Sequence, residues 1–190
     1  MRDERRWNAA LAEHEIVVRE FIAVCERVAV ADWHRPRAPG KWSPAAVTLH
    51  VCRAYELGRD AMAGGQSMQL KVSQPRAWLL RTLMLPVIFA TKRFPRGAPA
   101  PVEVVPDAAE ARQLMPDAAA TRLQRVADQT AAALRRAAAE RATTSFTHAY
   151  FGRLGPHATL RLLSAHTMHH ARGLTRGYRL QGGVTLLTRA

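Results

Sequence analysis

Apolar residues between Trp7 and Val28 recur on a four-three rhythm, through Leu11, His14, Val18, Phe21 and Cys25, which places them on one stripe of a helix. Residues 32–40, with Pro36, Pro39 and Gly40, break the rhythm and read as a connecting loop. A second helix then begins. Ser43 is a suitable N-cap, Pro44 fits the first helical position, Trp42 is placed to staple onto Val47, and Gly64 and Gly65 stop the helix. The third long helix starts after Met115 with Pro116 and Asp117 in its first turn, and its apolar face uses Leu123, Val126, Thr130, Ala133, Leu134 and Ala137. A turn-rich stretch with Gly152, Gly155 and Pro156 precedes a fourth helix, from His157 to about Leu180, whose end Gly173 and Gly177 would fray. No strand ladder and no fixed-period repeat is expected. Four amphipathic segments, each with one stripe to bury, predict an all-α chain folded as a four-helix bundle, a single domain over residues 1–190.

Residues 71–106 interrupt this scheme as a crossover insertion between the second and third helices. Residues 71–96 carry Lys71, Arg76, Arg81, Lys92, Arg93 and Arg96 and no acid. The apolar run from Ala77 to Ala90 is broken by Arg81 and Pro86 and falls short of the ~20 residues that span a bilayer. Two readings follow: a crossover helix packed on the bundle with basic flanks, which is favoured, or an interfacial arm making peripheral contact with an anionic membrane. Gly97 to Pro106, with Pro99, Pro101 and Pro106, is expected to be an extended connector.

Charge alters the picture only slightly. A formal net charge of +13 arises from 28 basic and 15 acidic residues, and all but three of the bases are arginine. An anionic partner deserves consideration, but arginine enrichment beside abundant alanine is a weak nucleic-acid signal, and aromatics at 6% do not alternate with the bases as a stacking platform requires. No specific nucleic acid is expected. Cys25 and Cys52 are too few for a disulfide framework, and the charged start is unlike a secretory signal, so the expected location is cytoplasmic.

The candidate chemistry lies in the histidines. His166 and His170 are four residues apart, so their rings project from one helical face and can converge on one ion. The same stripe carries Leu163 and Gly173, which turns both rings toward the bundle interior. His50 shares a face of the second helix with Val47, Val51 and Ala54 and supplies a third inward ring. Three neutral imidazoles leave at least one open position on a tetrahedral metal, the arrangement of a catalytic rather than a closed site. The plainer alternative is a group of buried histidines bonded to backbone or water. His169, beside the stripe, is assigned a supporting role. His14 reads as a satisfied core histidine, and His34, His148 and His157 as loop or helix-start residues.

Trp42-Ser43-Pro44 followed by His50, together with Tyr150-Phe151-Gly152-Arg153-Leu154 followed by His166-Thr-Met-His169-His170-Ala-Arg172, resembles the DinB/YfiT-like superfamily over most of the chain. The resemblance is nearest to the branch with a basic insertion between the second and third bundle helices, although His148 is followed here by Ala149 where that branch usually has proline. It implies an up-up-down-down four-helix bundle in which one histidine of helix two and two of helix four bind a divalent metal, zinc or nickel; His50, His166 and His170 occupy those positions. It further implies a metal-dependent enzyme of thiol-dependent transferase or hydrolase type, with a small-molecule substrate, such as a thiol. The family's name, from DNA-damage induction, is no indication of DNA binding.

Residues 141–190 contain no acid, so a carboxylate assisting the site must come from another segment. Glu56, Asp60, Glu13, Glu15 and Glu20 are available, and periodicity chooses none as general base. Arg172 and Arg176 can attract an anion or solvate a helix face, the latter being favoured for most arginines here. A competing expectation is a non-catalytic basic module that binds nucleic acid or anionic membrane through residues 71–96. Ser164–His166 and Cys52–His50 sit two apart on a helix and diverge, so neither is a nucleophile-base pair, and no phosphate-binding glycine loop is present. A homodimer is left open.

Overall fold

The computed structural model describes residues 2–95, 99–140 and 142–181. Its elements run α1 (Arg2–Arg27), α2 (Val30–Trp33), α3 (Pro44–Met62), α4 (Gln74–Thr91), a 3-10 turn (Val102–Val104), α5 (Ala108–Gln113), α6 (Pro116–Ala139), β1 (Phe146–His148), β2 (Gly152–Leu154) and α7 (Pro156–Gly177). The four long helices predicted from periodicity are α1, α3, α6 and α7. They form an all-α bundle in which α1 packs most extensively on α7, and α3 on α6. Both α1 and α3 also contact α6 and α7, which brings the first and last bundle helices together through non-local packing.

Stripe residues account for the core. Trp7, Val18, Phe21, Cys25 and Val28 of the first stripe are buried, as are Leu123, Val126, Thr130, Leu134 and Ala137 of α6. Ala133 is only half-buried, and Ala131 on the neighbouring side goes into the core instead. The start of α3 is capped as expected, with the Ser43 hydroxyl accepting from Ala46 N–H at 3.3 Å. Trp42 joins a small cluster with Ala46, Leu49 and Ala111, whereas Val47, onto which it was expected to staple, packs on the main core. At the far end Gly64 adopts φ +79 and Gly65 N–H reaches the Asp60 carbonyl at 2.9 Å, closing the helix with the left-handed residue that glycine tolerates best.

Behind the site, α3, α6 and α7 meet at a close contact. Thr130 donates its hydroxyl to the Tyr55 carbonyl at 2.9 Å, and the Tyr55 hydroxyl lies 3.1 Å from that of Thr167. A Cβ added at Gly58 would stand 3.2 Å from Leu163 Cδ1. Gly58→Val is therefore expected to lower stability by about 1–3 kcal/mol through overpacking. Denaturant titration would check this, and an unchanged midpoint would show that the three helices can part there without cost.

Several local expectations need correction. Residues 32–40 are not loop throughout: α2 ends on Trp33, which is fully buried and donates its indole N–H to the Leu114 carbonyl at 2.6 Å. Residues 146–154 form a short antiparallel hairpin, pairing Phe146 with Leu154 and His148 with Gly152, where only turns were expected. Such a hairpin is too short to announce itself by alternation; Phe146 and Leu154 instead point into the helical core. α7 ends at Gly177 rather than near Leu180, because Tyr178 turns extended and Leu180 bridges back to Val28. The connector around residues 97–106 contains a 3-10 turn at its end and runs into α5; Gly97 and its neighbour 98, like Arg96 of the basic segment, lie outside the described residues.

α4 is the crossover helix. Leu85 and Ile88 are buried, the Arg81 guanidinium donates to the Arg153 carbonyl at 2.7 Å, Arg172 donates to the Thr91 carbonyl at 2.8 Å, and Arg161 lies 4.2 Å above the Phe89 ring. These contacts fasten it to β2 and α7. No helix among the described residues is long and apolar enough to cross a membrane.

Candidate metal centre

α3 presents His50 two turns after its capped start, and α7 presents His166 and His170 one turn apart. The i, i+4 spacing aligns the α7 pair, and packing of α3 on α7 brings the third ring to them. His50 Nε2 lies 3.0 Å from His166 Nε2, and His170 Nε2 lies 3.1 Å from the same atom. One nitrogen from each of the three rings falls within 4.8 Å of the others. The predicted trio therefore converges.

The donor set fits a divalent cation. His50 donates Nδ1–H to the Val104 carbonyl at 2.7 Å, which leaves Nε2 of the neutral ring with a bare lone pair. His166 Nε2 can carry one proton at most, so it cannot form good hydrogen bonds with His50 and His170 together, and lone pairs are left facing one another. A cation among them removes that conflict. With metal–nitrogen distances of roughly 2.0–2.1 Å, adjacent ligand nitrogens lie about 3.0–3.4 Å apart, close to the separations here.

The rings are held neutral. Burial pushes His50 down to about 4, against the Val104 hydrogen bond, which acts in the other direction. His166 and His170 are half-buried, but their Nε2 atoms face the other rings, and desolvation followed by the neighbouring imidazoles holds both well below the usual histidine range. Neutral imidazole is the ligating form.

Other residues frame the site. Trp42 leans on His50 with ring centroids 4.8 Å apart, and Phe94 meets His166 at 5.9 Å and His169 at 5.4 Å. Phe94 follows the end of α4, where Lys92 takes the left-handed conformation at φ 54 and forms an ion pair with Glu13 of α1. His148, expected in a loop, lies on β1, stacks on Phe151 at 4.6 Å and accepts from Tyr150 N–H at 3.2 Å; burial lowers it to about 4. It is near enough to His166 to disfavour protonation there. His169 stays at the rim beside Arg172 and Arg176, whose charges add to its desolvation in keeping it neutral.

Sequence reading could not have found Val104, because its role is a backbone carbonyl delivered by the 3-10 turn. Phe94 and Trp42 carried a weak signal as aromatics near helix ends. His14 is buried against the Tyr55 ring edge at 5.5 Å, as expected of a core residue, but it is not satisfied: Nε2 finds no hydrogen-bond partner. Desolvation keeps it neutral.

Four of the five candidate carboxylates are engaged elsewhere. Glu56 accepts from Arg122 at 3.0 Å, Arg59 holds Asp60 at 2.9 Å, Lys92 holds Glu13, and Glu15 lies 3.9 Å from Arg19 on the surface. No carboxylate among the described residues hydrogen-bonds to His50, His166 or His170. The acceptor that supports His50 is the neutral Val104 carbonyl.

Neutral, buried histidines couple stability to pH. As pH falls, the unfolded chain takes up protons at the ordinary histidine value of 6.5, while His50 and His148 in the fold resist until about 4. Stability is therefore full above that ordinary value and is lost as pH falls toward the folded value. The melting temperature of metal-free protein is expected to decline steadily between about pH 6.5 and pH 4. A flat profile over that interval would contradict the burial of these rings.

A helical bundle that gathers three imidazoles from two of its helices, with a neutral inner shell and an aromatic rim, defines a class of candidate metal-binding bundles. The model of the DinB superfamily matches residues 13–173, and the chain belongs to that superfamily. No curated protein and no solved structure matches it significantly.

Proposed function

We infer that the protein is a metal-dependent enzyme that holds zinc or nickel on His50, His166 and His170 and acts on a small molecule by thiol-dependent transfer or by hydrolysis. The observation that carries this reading is the meeting of three neutral Nε2 donors from α3 and α7. A divalent cation there supplies a Lewis acid with positions left for an exogenous ligand.

The chain's own residues have distinct parts. Val104 holds His50 in the tautomer that exposes Nε2. Phe94 and Trp42 limit water around the rings. The three ligands contribute no negative charge, so a cation among them keeps its full charge and favours an anionic group, such as a thiolate or carboxylate. Arg172 and Arg176 beside His169 add positive potential on the same side.

Cobalt substitution tests the reading. The cobalt-loaded protein is expected to show visible ligand-field bands that shift on addition of a small thiol, with an added sulfur charge-transfer band for direct coordination. A spectrum indifferent to thiols and to carboxylates would show that no position is open, which would defeat an enzymatic role at this centre.

A further inference from the structure

Packing fastens one side of α4 and leaves the other bare. Trp78, Leu79, Leu83 and Val87 are 48–61% exposed, at spacings that place them along one outer stripe with Pro75, Thr82, Pro86 and Ala90, all exposed as well. From Trp78 to Ala90, Thr82 is the single polar side chain of that stripe, and its hydroxyl is already donated to the Trp78 carbonyl at 2.9 Å. An apolar face of this length, rimmed by polar residues, marks an interaction surface.

Charge indicates what covers it. Residues 61–102 contain no acid. Lys92 and Arg81 are committed to the fold through Glu13 and the Arg153 carbonyl, whereas Lys71, Arg76 and Arg93 have exposed side chains at either end of the stripe. Arg76 is seven residues before Leu83 and so shares its face. We propose that this face of α4 docks on an anionic lipid surface, with Trp78, Leu79, Leu83 and Val87 entering the headgroup boundary and Lys71, Arg76 and Arg93 contacting lipid phosphates. The arrangement is that of a helix lying in the interface plane, with tryptophan at the level where its ring is both apolar and a hydrogen-bond donor. A second copy of the chain is a poorer occupant, because a two-fold contact sets the same patch against itself and would oppose these cations with no acid in the patch to neutralise them. The docking stands independently of the metal reading.

Vesicle binding tests it with the full-length protein. Binding to vesicles of phosphatidylcholine with one-third phosphatidylglycerol is expected, with little to pure phosphatidylcholine and weakening as salt is raised. Trp7 and Trp33 are buried and Trp42 is half-buried against His50, so brominated lipid should quench mainly the exposed Trp78, and Trp78→Phe should remove most of that quenching. Leu83→Ser with Val87→Ser is expected to weaken binding roughly tenfold or more, and Arg76→Glu to weaken it on the anionic vesicles, both with the helical circular-dichroism signal retained. Equal binding to both vesicle types, or unchanged binding by the double serine variant, overturns the proposal. So does a dimer in light scattering that the double variant dissolves while no vesicle binding is seen.

Discussion

His166→Ala is expected to abolish stoichiometric metal binding. His166 Nε2 lies at the middle of the trio, 3.0 and 3.1 Å from its partners, so its loss leaves two donors that belong to different helices. Removing a residue that merely orients a ligand costs about 10–100-fold in metal affinity, and removing a ligand itself should exceed that. His50→Ala and His170→Ala are expected to behave alike, each lowering zinc or nickel affinity by more than about 100-fold. The readout is metal content after dialysis against a weak chelator, together with the rise in melting temperature on adding metal. In metal-free protein the variants have a compensating benefit: each removes one of the lone pairs that confront one another, so their stability should fall less than burial alone suggests. Retention of one equivalent of metal by all three variants would place the ion elsewhere and remove the basis of the proposed function.

Trp33→Ala should be the most damaging single truncation away from the site. The indole is fully buried in the main core, and its N–H bond to the Leu114 carbonyl ties α2 to the chain just before α6. Truncation loses the apolar contact, leaves a cavity and orphans that carbonyl, a combined cost of about 3–5 kcal/mol. In a chain of this size the melting temperature should fall by roughly 10 °C. Trp33→Phe separates the two contributions, because it retains most of the packing and loses the hydrogen bond. A truncation that melts within a degree or two of the parent would show that the Leu114 region closes over the gap.

Trp33 also illustrates where sequence reading stops. Its surroundings, Asp32, His34, Pro36 and Pro39, look like a connector, and a four-residue helix has no period to detect. What buries it is the approach of α3 and the segment before α6, neither of which is local. The hairpin at residues 146–154 was invisible for the same reason, as was the 3-10 turn that carries Val104. The long helices, by contrast, repeat their pattern over several turns, so Phe21 or Leu134 could be assigned to the core without coordinates. Pro44, Pro116 and Pro156 each sit where a helix begins, since proline lacks only an N–H that the first turn leaves free.

The site divides along the same line. That His166 and His170 can share an ion follows from helical geometry alone, because four residues advance little more than one turn. The membership of His50 in the trio depends on a packing distance, as does the engagement of Glu56 by Arg122 of α6 in a part-buried ion pair. Local spacing thus sufficed for the helices, their buried stripes and the two-histidine half of the centre, since each is governed by interactions within a few turns of one chain segment. The convergence of His50 on that pair, its Val104 support, the aromatic rim and the bare outer face of α4 were decided by how segments distant in the chain pack on one another, and periodicity carries no information about those distances.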